Sequence, residues 1–598
     1  MKISRNWLQI FFEKPLPSAQ VLADALTFHA FEIESIENDV LDVKVTPNRG
    51  HDCLSYRGIA KELSAILNLP LVPYPYGIKD VTLEPKTEAL KVSVENPQLC
   101  PRFTTVYITG VHVGPSPEWL RTALESIGQK SINNIVDATN YVMFNVGQPL
   151  HAFDAAKLTE KEGVRALSVR MAKEGEKMLG LDDKEYSLAP SILVITDGNT
   201  GEAVSVAGIK GGKPTGIDEN TTGIILEAAN WDGVTIRKTS QALKLRTDAS
   251  DRFQQVISPE LTAYGLKAAT DLIIKLAGGE VAGFVDEYPS PHEMRQVAVS
   301  TQKVNQVLGT KFSDADIADV LTRLDLPFTK SSEMSSRWVV EIPFERLDLV
   351  IPEDLIEEVA RIVGYDKIPT AELPPFENKP IVNANFYAAE RMRQELTSKG
   401  YSEVFTSVFV EKGERIVANK VDGVRPYLRA NLTDGLKDAL EKNAGNKDLL
   451  QLYKVKLFEV GTVWKNNKEV MMVGTAEEGG TTSEEPLEIV AASVYDDLPI
   501  SKTERYQPFS KYPFIVRDIA MWIPAKTKQE DVLEVIRKSA GELLVRSEKF
   551  DEFKKDKKLS LAFRLVFQSF DRTLTDEDAN SRMSSVNTAV EKEGWKVR

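Results

Sequence analysis

The sequence predicts a multidomain α+β protein. At 598 residues the chain exceeds what one hydrophobic core organises, because a domain usually takes roughly 100 to 200 residues. Strand-like alternation and helix-like periodicity follow one another along the chain. Proline-rich segments at 73–77 and 370–380 separate these stretches and are typical of linkers. We therefore expect four or five domains.

Composition excludes several classes of protein. With 42% hydrophobic and 27% charged residues, the chain is typical of soluble globular proteins. No run approaches the ~18 apolar residues of a membrane span, and the first residues do not resemble a signal peptide. We therefore expect a cytoplasmic protein with no membrane association.

The cysteine, histidine and charge patterns exclude some kinds of functional site and favour another. Two cysteines, Cys53 and Cys100, are too few for a disulfide framework or a zinc cage. The five histidines lack the HExxH spacing of a catalytic metal site. The net charge is -14, yet residues from Tyr506 onward carry 18 lysines and arginines against 15 acidic residues. This distribution favours a nucleic-acid contact at one end only.

The first unit, 1–75, reads as a small α/β domain. A helix near 18–28, an alternating strand at 40–45, a turn at 46–50 and a helix over 54–67 follow in order. In the turn region, Arg49 and Asp52 are interpreted as a structural pair rather than as ligands of a bound molecule.

The second unit, 90–286, mixes strands and helices and contains the most polar-rich stretch of the chain, 130–154. Its asparagine, aspartate, glutamine and histidine side chains are costly to bury without partners. The stretch therefore indicates either a binding pocket or a loop whose side chains cap their own backbone.

The third unit, 290–369, reads as a small, mainly helical domain. Its last helix is predicted to begin at Pro352 and to end at Gly364. Its apolar side is Leu355, Ile356, Val359 and Ile362, and its opposite side is Asp354, Glu357, Glu358 and Arg361. The acids can favour the helix dipole, with Glu357 paired to Arg361, or they can bind a cation.

Two further units complete the chain. The fourth, 376–504, contains no ATP-clamping motif, and the glycine cluster at 208–216 has Pro214 where a phosphate-binding loop needs serine or threonine. The fifth, 506–598, reads strand, helix, strand, strand, helix, strand, with a capping box from Thr575 to Asp578. That order is the ferredoxin-like βαββαβ motif.

Several of these stretches together resemble one family. The words DVKVTPNRGHDCLSYRGIAKEL, SINNIVDATNYVMFNVGQPLHAFD, RLDLVIPEDLIEEVARIVGYDKIP, YPFIVRDIA and FDRTLTDED resemble the β subunits of bacterial-type phenylalanyl-tRNA synthetases. The resemblance implies an editing domain, a small helical or winged-type magnesium-binding domain, a degenerate class II synthetase-like antiparallel core and an anticodon-binding domain. In this family an OB-fold module usually precedes the first of these words, but here Glu37 runs almost directly into Asp42, which implies a compact form without it.

The resemblance also implies an editing pocket that hydrolyses Tyr-tRNA(Phe). Glu227 would accept the tyrosine hydroxyl, and His151 with Thr247 would orient the ester or the attacking water. The remaining residues that match the pocket are Lys130, Thr139, Asn140, Ala207, Gly208, Gly211 and Ala249. The family often has arginine at position 130, and lysine loses the bidentate fork. Glu227 could instead be a strand-end carboxylate in water, and His151 a packed histidine with a satisfied ring.

Metal, tRNA and partner assignments follow from the same resemblance. Mg²⁺, shared with the α subunit, would bind Asp348, Asp354, Glu357 and Glu358. Candidate tRNA contacts are Lys511, Arg517, Lys554, Lys555 and Arg598. In an α2β2 assembly the α subunit would bind ATP, and this chain would support phenylalanine charging of tRNA(Phe) without making adenylate itself. A free-standing mischarged-tRNA hydrolase and a non-catalytic tRNA-binding scaffold are the alternatives.

Overall fold

The computed structural model describes residues 1–73, 81–291, 293–331, 337–375, 381–419, 423–490, 508–555 and 558–598, together with 492, 494, 495 and 498. His292, most of the predicted linker at 73–77 and the end of that at 370–380 lie outside the described residues. The chain forms two compact units, Met1–Glu372 and Leu373–Arg598. Both contain helices and strands, which confirms a mixed α/β multidomain fold. None of the helices in the described ranges is long and apolar enough to cross a bilayer.

The beginning of the first unit is a three-stranded antiparallel sheet covered by helices. Its strands, in sheet order, are Lys2–Ser4, Val40–Lys44 and Glu32–Glu37, and its helices are Arg5–Leu8, Ala19–His29, Gly50–Cys53 and Tyr56–Leu67. Glu37 pairs with Val40 across a turn of Asn38 and Asp39, with φ values of 50° and 64°. Asparagine and aspartate tolerate this left-handed backbone. The direct connection expected between Glu37 and Asp42 is confirmed.

Two sheets form the central part of the first unit. One has the strand order Glu280–Glu287, Arg102–Thr109, Gly223–Asn230 and His151–Asp154. The other has the order Lys210–Gly211, Ala203–Val206, Leu193–Asp197, Val164–Met171 and Leu90–Val94, with Glu160–Lys161 paired to Val164–Met171. A separate hairpin joins Lys177–Leu179 to Glu185–Ser187. The helices are Glu118–Ser126, Asn134–Val146, Gly233–Leu243, Asp248–Phe253 and Leu261–Ala277.

A small sheet and three helices end the first unit. The strands, in sheet order, are Arg295–Ser300, Arg337–Ile342 and Phe328–Ser331, and the helices are Thr301–Leu308, Asp314–Arg323 and Pro352–Val363. The last helix begins at Pro352 and is capped by Gly364 at a φ of 108°, as predicted. Its predicted apolar side, Leu355, Ile356, Val359 and Ile362, is buried.

The second unit contains two sheets. The first has the order Ser402–Glu403, Lys456–Lys465, Lys468–Glu477 and Thr482–Pro486, accompanied by a short pair, Phe409–Val410 and Tyr427–Leu428, and by helices Ala384–Ser398, Thr433–Ala444 and Lys447–Leu450. The C-terminal sheet has the order Leu544–Lys555, Lys558–Phe567, Ile515–Pro524 and Lys596–Val597, with helices Gln529–Ala540 and Asp576–Lys592. The ferredoxin-like order and the Thr575 to Asp578 capping box are confirmed.

Candidate active site

Glu227 lies at the centre of a row of three polar side chains. Its strand, Gly223–Asn230, runs between two antiparallel neighbours, and Glu227 is directly opposite Thr105 on one side and His151 on the other. Residues directly opposite one another in antiparallel strands project to the same face of the sheet. Thr105, Glu227 and His151 therefore form one continuous row.

Thr105 and Glu227 are buried and His151 is half-buried, and polar groups of all three lack partners within the described chain. Glu227 is 5% exposed, and its carboxyl group has no hydrogen-bond or charge partner among the described residues. Thr105 Oγ1 and His151 Nε2 are likewise buried without a hydrogen-bond partner there. Native proteins rarely leave such groups unpaired, and exceptions often mark functional sites. The interpretations of Glu227 as a solvated strand end and of His151 as a satisfied packed ring are therefore wrong.

Burial shifts both ionisable groups of the row towards their neutral forms. Desolvation raises the pKa of Glu227 to about 8 and lowers the pKa of His151 to about 4, because a charge is costly in an apolar surrounding. At neutral pH the imidazole is therefore neutral. Its unprotonated nitrogen can accept a hydrogen bond from a water molecule, while the carboxyl group can gain or lose its own proton near physiological pH.

The segment from Ala207 to Gly211 packs against the row. A Cβ built on Gly211 would lie 2.7 Å from His151 Nε2, so only glycine fits there. Gly208 has a φ of 67°, and its Cβ would lie 2.8 Å from the ring of Trp231. Ala207 is fully buried. Of these small residues, Gly211 contacts His151 and Gly208 contacts Trp231.

The hairpin Lys177–Leu179 to Glu185–Ser187 covers the same place from outside. The backbone N–H of Leu181, at its tip, donates to the carbonyl of Gly211 over 3.1 Å. The Leu181 side chain lies 3.1 Å from the position that a Cβ of Gly211 would take. The hairpin tip therefore contacts the segment that touches His151.

Thr247 has a structural hydrogen-bond pattern. It is the N-cap of the helix Asp248–Phe253, where Ser250 completes a capping box. Its hydroxyl also donates to the carbonyl of Ile209 over 3.3 Å. Thr247 thus ties this helix to the segment that contacts His151, and its single hydroxyl proton is already used.

The polar stretch 130–154 divides into structural and unpaired residues. Asn133 caps its helix, Asn134 bridges the carbonyls of His112 and Leu276, and Asp137 accepts from two serine hydroxyls and one backbone N–H. Asp154 accepts from Thr221 over 2.7 Å. These four residues thus have structural partners, although the stretch contains a helix, Asn134–Val146, and a strand, His151–Asp154, rather than the self-capping loop of the alternative.

The other predicted pocket residues differ from one another in burial and in the groups that they contact. Thr139 donates to the carbonyl of Val136 over 2.7 Å, and Ala249 packs against the core. Lys130 is exposed, and Asn140 is half-buried. No hydrogen bond within the described part of the chain joins Lys130, Thr139 or Asn140 to Glu227 or His151.

The four carboxylates predicted to bind magnesium line one cleft, but three of them already have partners. Both oxygens of Asp348 bind Arg346, at 3.0 and 2.7 Å, and Asp348 also accepts from His51 over 3.1 Å. Asp354 accepts from the backbone N–H groups of Val350 and Ile351. Across the described residues, no three acidic, histidine or cysteine side chains are placed to hold a metal ion. The donor set does not fit Mg²⁺ in this chain alone.

Glu358 belongs instead to a buried network of ion pairs. Arg346 Nη1 lies 3.0 Å from Glu358, and Arg361 Nη2 lies 2.6 Å from the same carboxylate. Arg361 also binds Glu62, which accepts from Arg49 over 2.6 Å. Burial alone would raise the pKa of Glu62, but Arg361 and Arg49 outweigh burial and lower this pKa to about 2.

The ion-pair network tests two pairings that were predicted from the sequence. Arg49 Nη2 donates to Asp52 over 2.6 Å, so the structural pair predicted in the first unit is confirmed. The predicted pairing of Arg361 with Glu357 is wrong, since Arg361 binds Glu358 and Glu62. Glu358 and Arg361 are buried because the first part of the chain packs on that side of the helix, which helical spacing alone does not reveal.

The candidate tRNA contacts on the C-terminal domain differ in solvent exposure and in whether they are already paired. Lys511, Lys554, Lys555 and Arg598 are exposed. Arg517 is paired with Asp576 and donates to Asn580 over 3.2 Å. Four of the five cations thus face solvent, as a phosphate contact requires.

Sequence reasoning missed Thr105. Threonine is common in strands, and RFTTVYIT reads as an ordinary strand. Only the register with the distant strand Gly223–Asn230 places Thr105 beside Glu227. An uncharged hydroxyl gives no signal of this kind in sequence.

Three family models match parts of the chain. They are the B3/4 domain at residues 99–278, the tRNA synthetase B5 domain at 297–365 and the ferredoxin-fold anticodon binding domain at 510–598. The first of these ranges contains Thr105, Glu227 and His151. The second contains the four carboxylates of the cleft.

Whole-chain relatives carry a consistent name. The phenylalanine–tRNA ligase beta subunit of Bacillus thuringiensis subsp. konkukian is 31% identical over 687 residues, which cover 98% of this chain and 82% of the relative. That of Synechocystis sp. is 30% identical over 695 residues, covering 98% and 83%. Among solved structures, an N-terminal fragment of the phenylalanyl-tRNA synthetase beta subunit from Pyrococcus horikoshii is 14% identical, with a TM-score of 0.36, and covers 61% of this chain and 99% of its own.

Proposed function

Because the chain belongs to the phenylalanine–tRNA ligase beta-subunit family, we propose that its buried Glu227 and His151 hydrolyse tyrosine wrongly attached to tRNA(Phe). As a family member the chain is the beta subunit of a ligase that makes Phe-tRNA, and a beta subunit implies a partner subunit and tRNA binding. Editing is the additional activity that the site supports.

Editing compensates for the limited ability of a phenylalanine-binding pocket to reject tyrosine. An apolar pocket that accepts phenylalanine rejects the isostere with one added hydroxyl by only about 10². A second site that hydrogen-bonds that hydroxyl can discriminate far more strongly, because the wrong substrate leaves its buried polar groups unpaired. The observation that carries the proposal is the row formed by Thr105, Glu227 and His151, whose polar groups lack partners in the described chain.

The reaction is the hydrolysis of an ester. Water attacks the carbonyl carbon of the tyrosyl group, the bond from this carbon to the ribose oxygen breaks, and a proton passes to that oxygen. The products are free tyrosine and uncharged tRNA. Glu227 binds the phenol, and neutral His151 orients the attacking water through Nε2.

The remaining predicted pocket residues take supporting roles in this proposal. Thr247 positions the segment around Ile209, rather than binding water, because its hydroxyl proton is engaged. Gly211 keeps its segment close to His151, and Gly208 keeps the same segment close to Trp231. Since Glu227 is only 5% exposed, binding of the tyrosyl ring requires the protein around it to open locally. Lys130, Thr139, Asn140 and Ala249 remain predicted residues of the editing pocket.

The assembly and its other ligands extend the proposal. We expect an α subunit to bind ATP and make the adenylate, with two copies of each subunit in the complex. The fold at 376–504 would serve as the degenerate class II core that packs on that subunit. Anticodon contact would involve Lys511, Lys554, Lys555 and Arg598, with Arg517 held by Asp576. Any Mg²⁺ at Asp348, Asp354, Glu357 and Glu358 would depend on groups outside this chain, because arginines occupy two of these carboxylates.

Deacylation of Tyr-tRNA(Phe) by the complex of this chain with its α subunit tests the proposal. We expect Glu227→Ala to lower the rate by about 10² or more, whereas Glu219→Ala, at an exposed glutamate of the same domain, leaves it unchanged. Unchanged hydrolysis in Glu227→Ala would refute the site and favour a scaffold. Pyrophosphate exchange dependent on phenylalanine should require added α subunit, and full deacylation by the chain alone would favour a free-standing hydrolase.

A further inference from the structure

We propose that Thr105 is a second specificity residue of the editing site: its hydroxyl donates to the oxygen of the tyrosine phenol while Glu227 accepts the phenol proton. This inference rests on the editing function proposed above. It adds a recognition group that no motif in the sequence indicates.

The register fixes the spacing of the two residues. Thr105 and Glu227 are directly opposite on antiparallel strands, where Cβ atoms are roughly 4.5 to 5.5 Å apart. Thr105 Oγ1 nevertheless has no hydrogen-bond partner within the described chain, so it does not bind Glu227. An oxygen atom that entered between these two polar groups would find a hydrogen-bond partner on each side.

A phenol hydroxyl matches this pair of groups. It donates one hydrogen bond and accepts others, and a carboxyl oxygen of Glu227 accepts the phenol proton in either protonation state of the group. The phenol oxygen then still has lone pairs that need a donor in a buried place. The Thr105 hydroxyl supplies this donor, and it is fully buried, so water does not compete for it.

The same arrangement penalises the correct product. Phenylalanine places a C–H group where the phenol oxygen would lie, and both Thr105 and Glu227 then stay unpaired. A site built to hydrogen-bond a hydroxyl rejects the analogue that lacks it much more strongly than a merely apolar pocket can. Thr105 would thus protect Phe-tRNA(Phe) from wasteful hydrolysis.

Thr104 provides a matched control on the same strand. It is also fully buried, but neighbouring strand residues project to opposite faces, and its hydroxyl donates to the carbonyl of Ala228 over 2.7 Å. Thr104→Val therefore removes a hydroxyl of equal burial from the other side of the sheet.

The test compares Thr105→Val, Thr105→Ser and Thr104→Val in the full complex, with Tyr-tRNA(Phe) and Phe-tRNA(Phe) as probes. We expect Thr105→Val to lower kcat/KM for Tyr-tRNA(Phe) by ~10- to 100-fold and to leave hydrolysis of Phe-tRNA(Phe) unchanged. Thr105→Ser should stay within about threefold of the wild-type value. Thr104→Val should keep the wild-type ratio between the two substrates.

Thermal melting separates a functional hydroxyl from a structural one. Removal of an unpaired buried hydroxyl should leave the Tm of Thr105→Val equal to or above that of the wild type, and a lower Tm would overturn the inference. An unchanged ratio of the two rates in Thr105→Val would also overturn it. If Glu227→Ala abolishes hydrolysis while Thr105→Val does not alter it, only the inference on Thr105 fails. If neither variant changes hydrolysis, the editing proposal itself fails.

Discussion

The backbone of Gly211 packs directly on the imidazole of His151. A Cβ at this position would lie 2.7 Å from Nε2, closer than van der Waals contact allows. The position of His151 Nε2, which we propose orients water, therefore depends on Gly211 having no side chain. Gly211 lies on a different sheet from His151.

Gly211→Ala should impair editing through His151. The added methyl group displaces the ring, and misplacement by about 1 Å can cost about 10² in rate. We expect at least a tenfold fall in Tyr-tRNA(Phe) deacylation, with aminoacylation of tRNA(Phe) unaffected. Gly114→Ala is the control, because a Cβ there meets nothing within 4 Å. Equal deacylation by both variants would show that the ring tolerates displacement.

Glu227→Gln should change how stability depends on pH. Burial raises the pKa of Glu227 to about 8, so between its unfolded pKa near 4.5 and about 8 the folded state holds a proton that the unfolded state releases. Stability from the neutral carboxyl is therefore full below pH 4.5 and is lost as pH rises towards 8, by at most ~1.4 kcal/mol per unit. In urea unfolding across this range, the free energy of unfolding of Glu227→Gln should rise relative to that of the wild type as pH increases. If the two free energies change in parallel with pH, the shifted pKa is contradicted.

Arg361→Leu should be strongly destabilising. It leaves Glu62 and Glu358 buried with fewer partners, and breaking a buried ion pair from one side costs ~3 to 5 kcal/mol. Denaturant unfolding measures this cost. Arg121→Leu, at an exposed arginine of the same unit, should stay within about 0.5 kcal/mol of the wild type. A similar small change in Arg361→Leu would mean that the network adds little.

The same network should make the first unit sensitive to acid. Because Arg361 and Arg49 outweigh burial and lower the pKa of Glu62 to about 2, its contribution is fully present above pH 4.5 and disappears as pH falls towards 2. We expect the Tm to fall over this range, and to fall less steeply in Glu62→Gln, which starts from a lower value. Equal slopes would assign acid unfolding to other carboxylates.

Chelation should not affect the isolated chain. Asp348 and Glu358 are held by arginines, so we expect EDTA to leave the Tm unchanged and calorimetric titration with Mg²⁺ to show no binding at micromolar concentrations. A rise in Tm with Mg²⁺ that Glu357→Gln removes would show that the cleft binds the ion without a partner.

The sequence predicts local structure well where the cause is local. Pro352, Gly364 and the Thr575 to Asp578 box act within one turn of helix, and all three lie where they were expected. The two-residue turn after Glu37 follows from the shortness of the connection. The family words also lead to Glu227 and His151, although no local rule shows that these residues are neighbours.

What depends on distant parts of the chain could not be predicted. Arg361 was expected to pair with Glu357, one turn away, but its partners include Glu62, which lies 299 residues earlier. Thr105 is notable only through its register with Glu227. Helical spacing and strand alternation identify faces, whereas which element covers each face is decided by tertiary packing.

The 299-residue separation of Glu62 and Arg361 has a consequence during translation. A ribosome that adds ~5 to 20 residues per second needs roughly 15 to 60 s to travel from one codon to the other. Throughout that interval Glu62 lacks Arg361, the second of its two arginine partners. The N-terminal region can complete this ion pair only after the helix Pro352–Val363 has emerged from the exit tunnel.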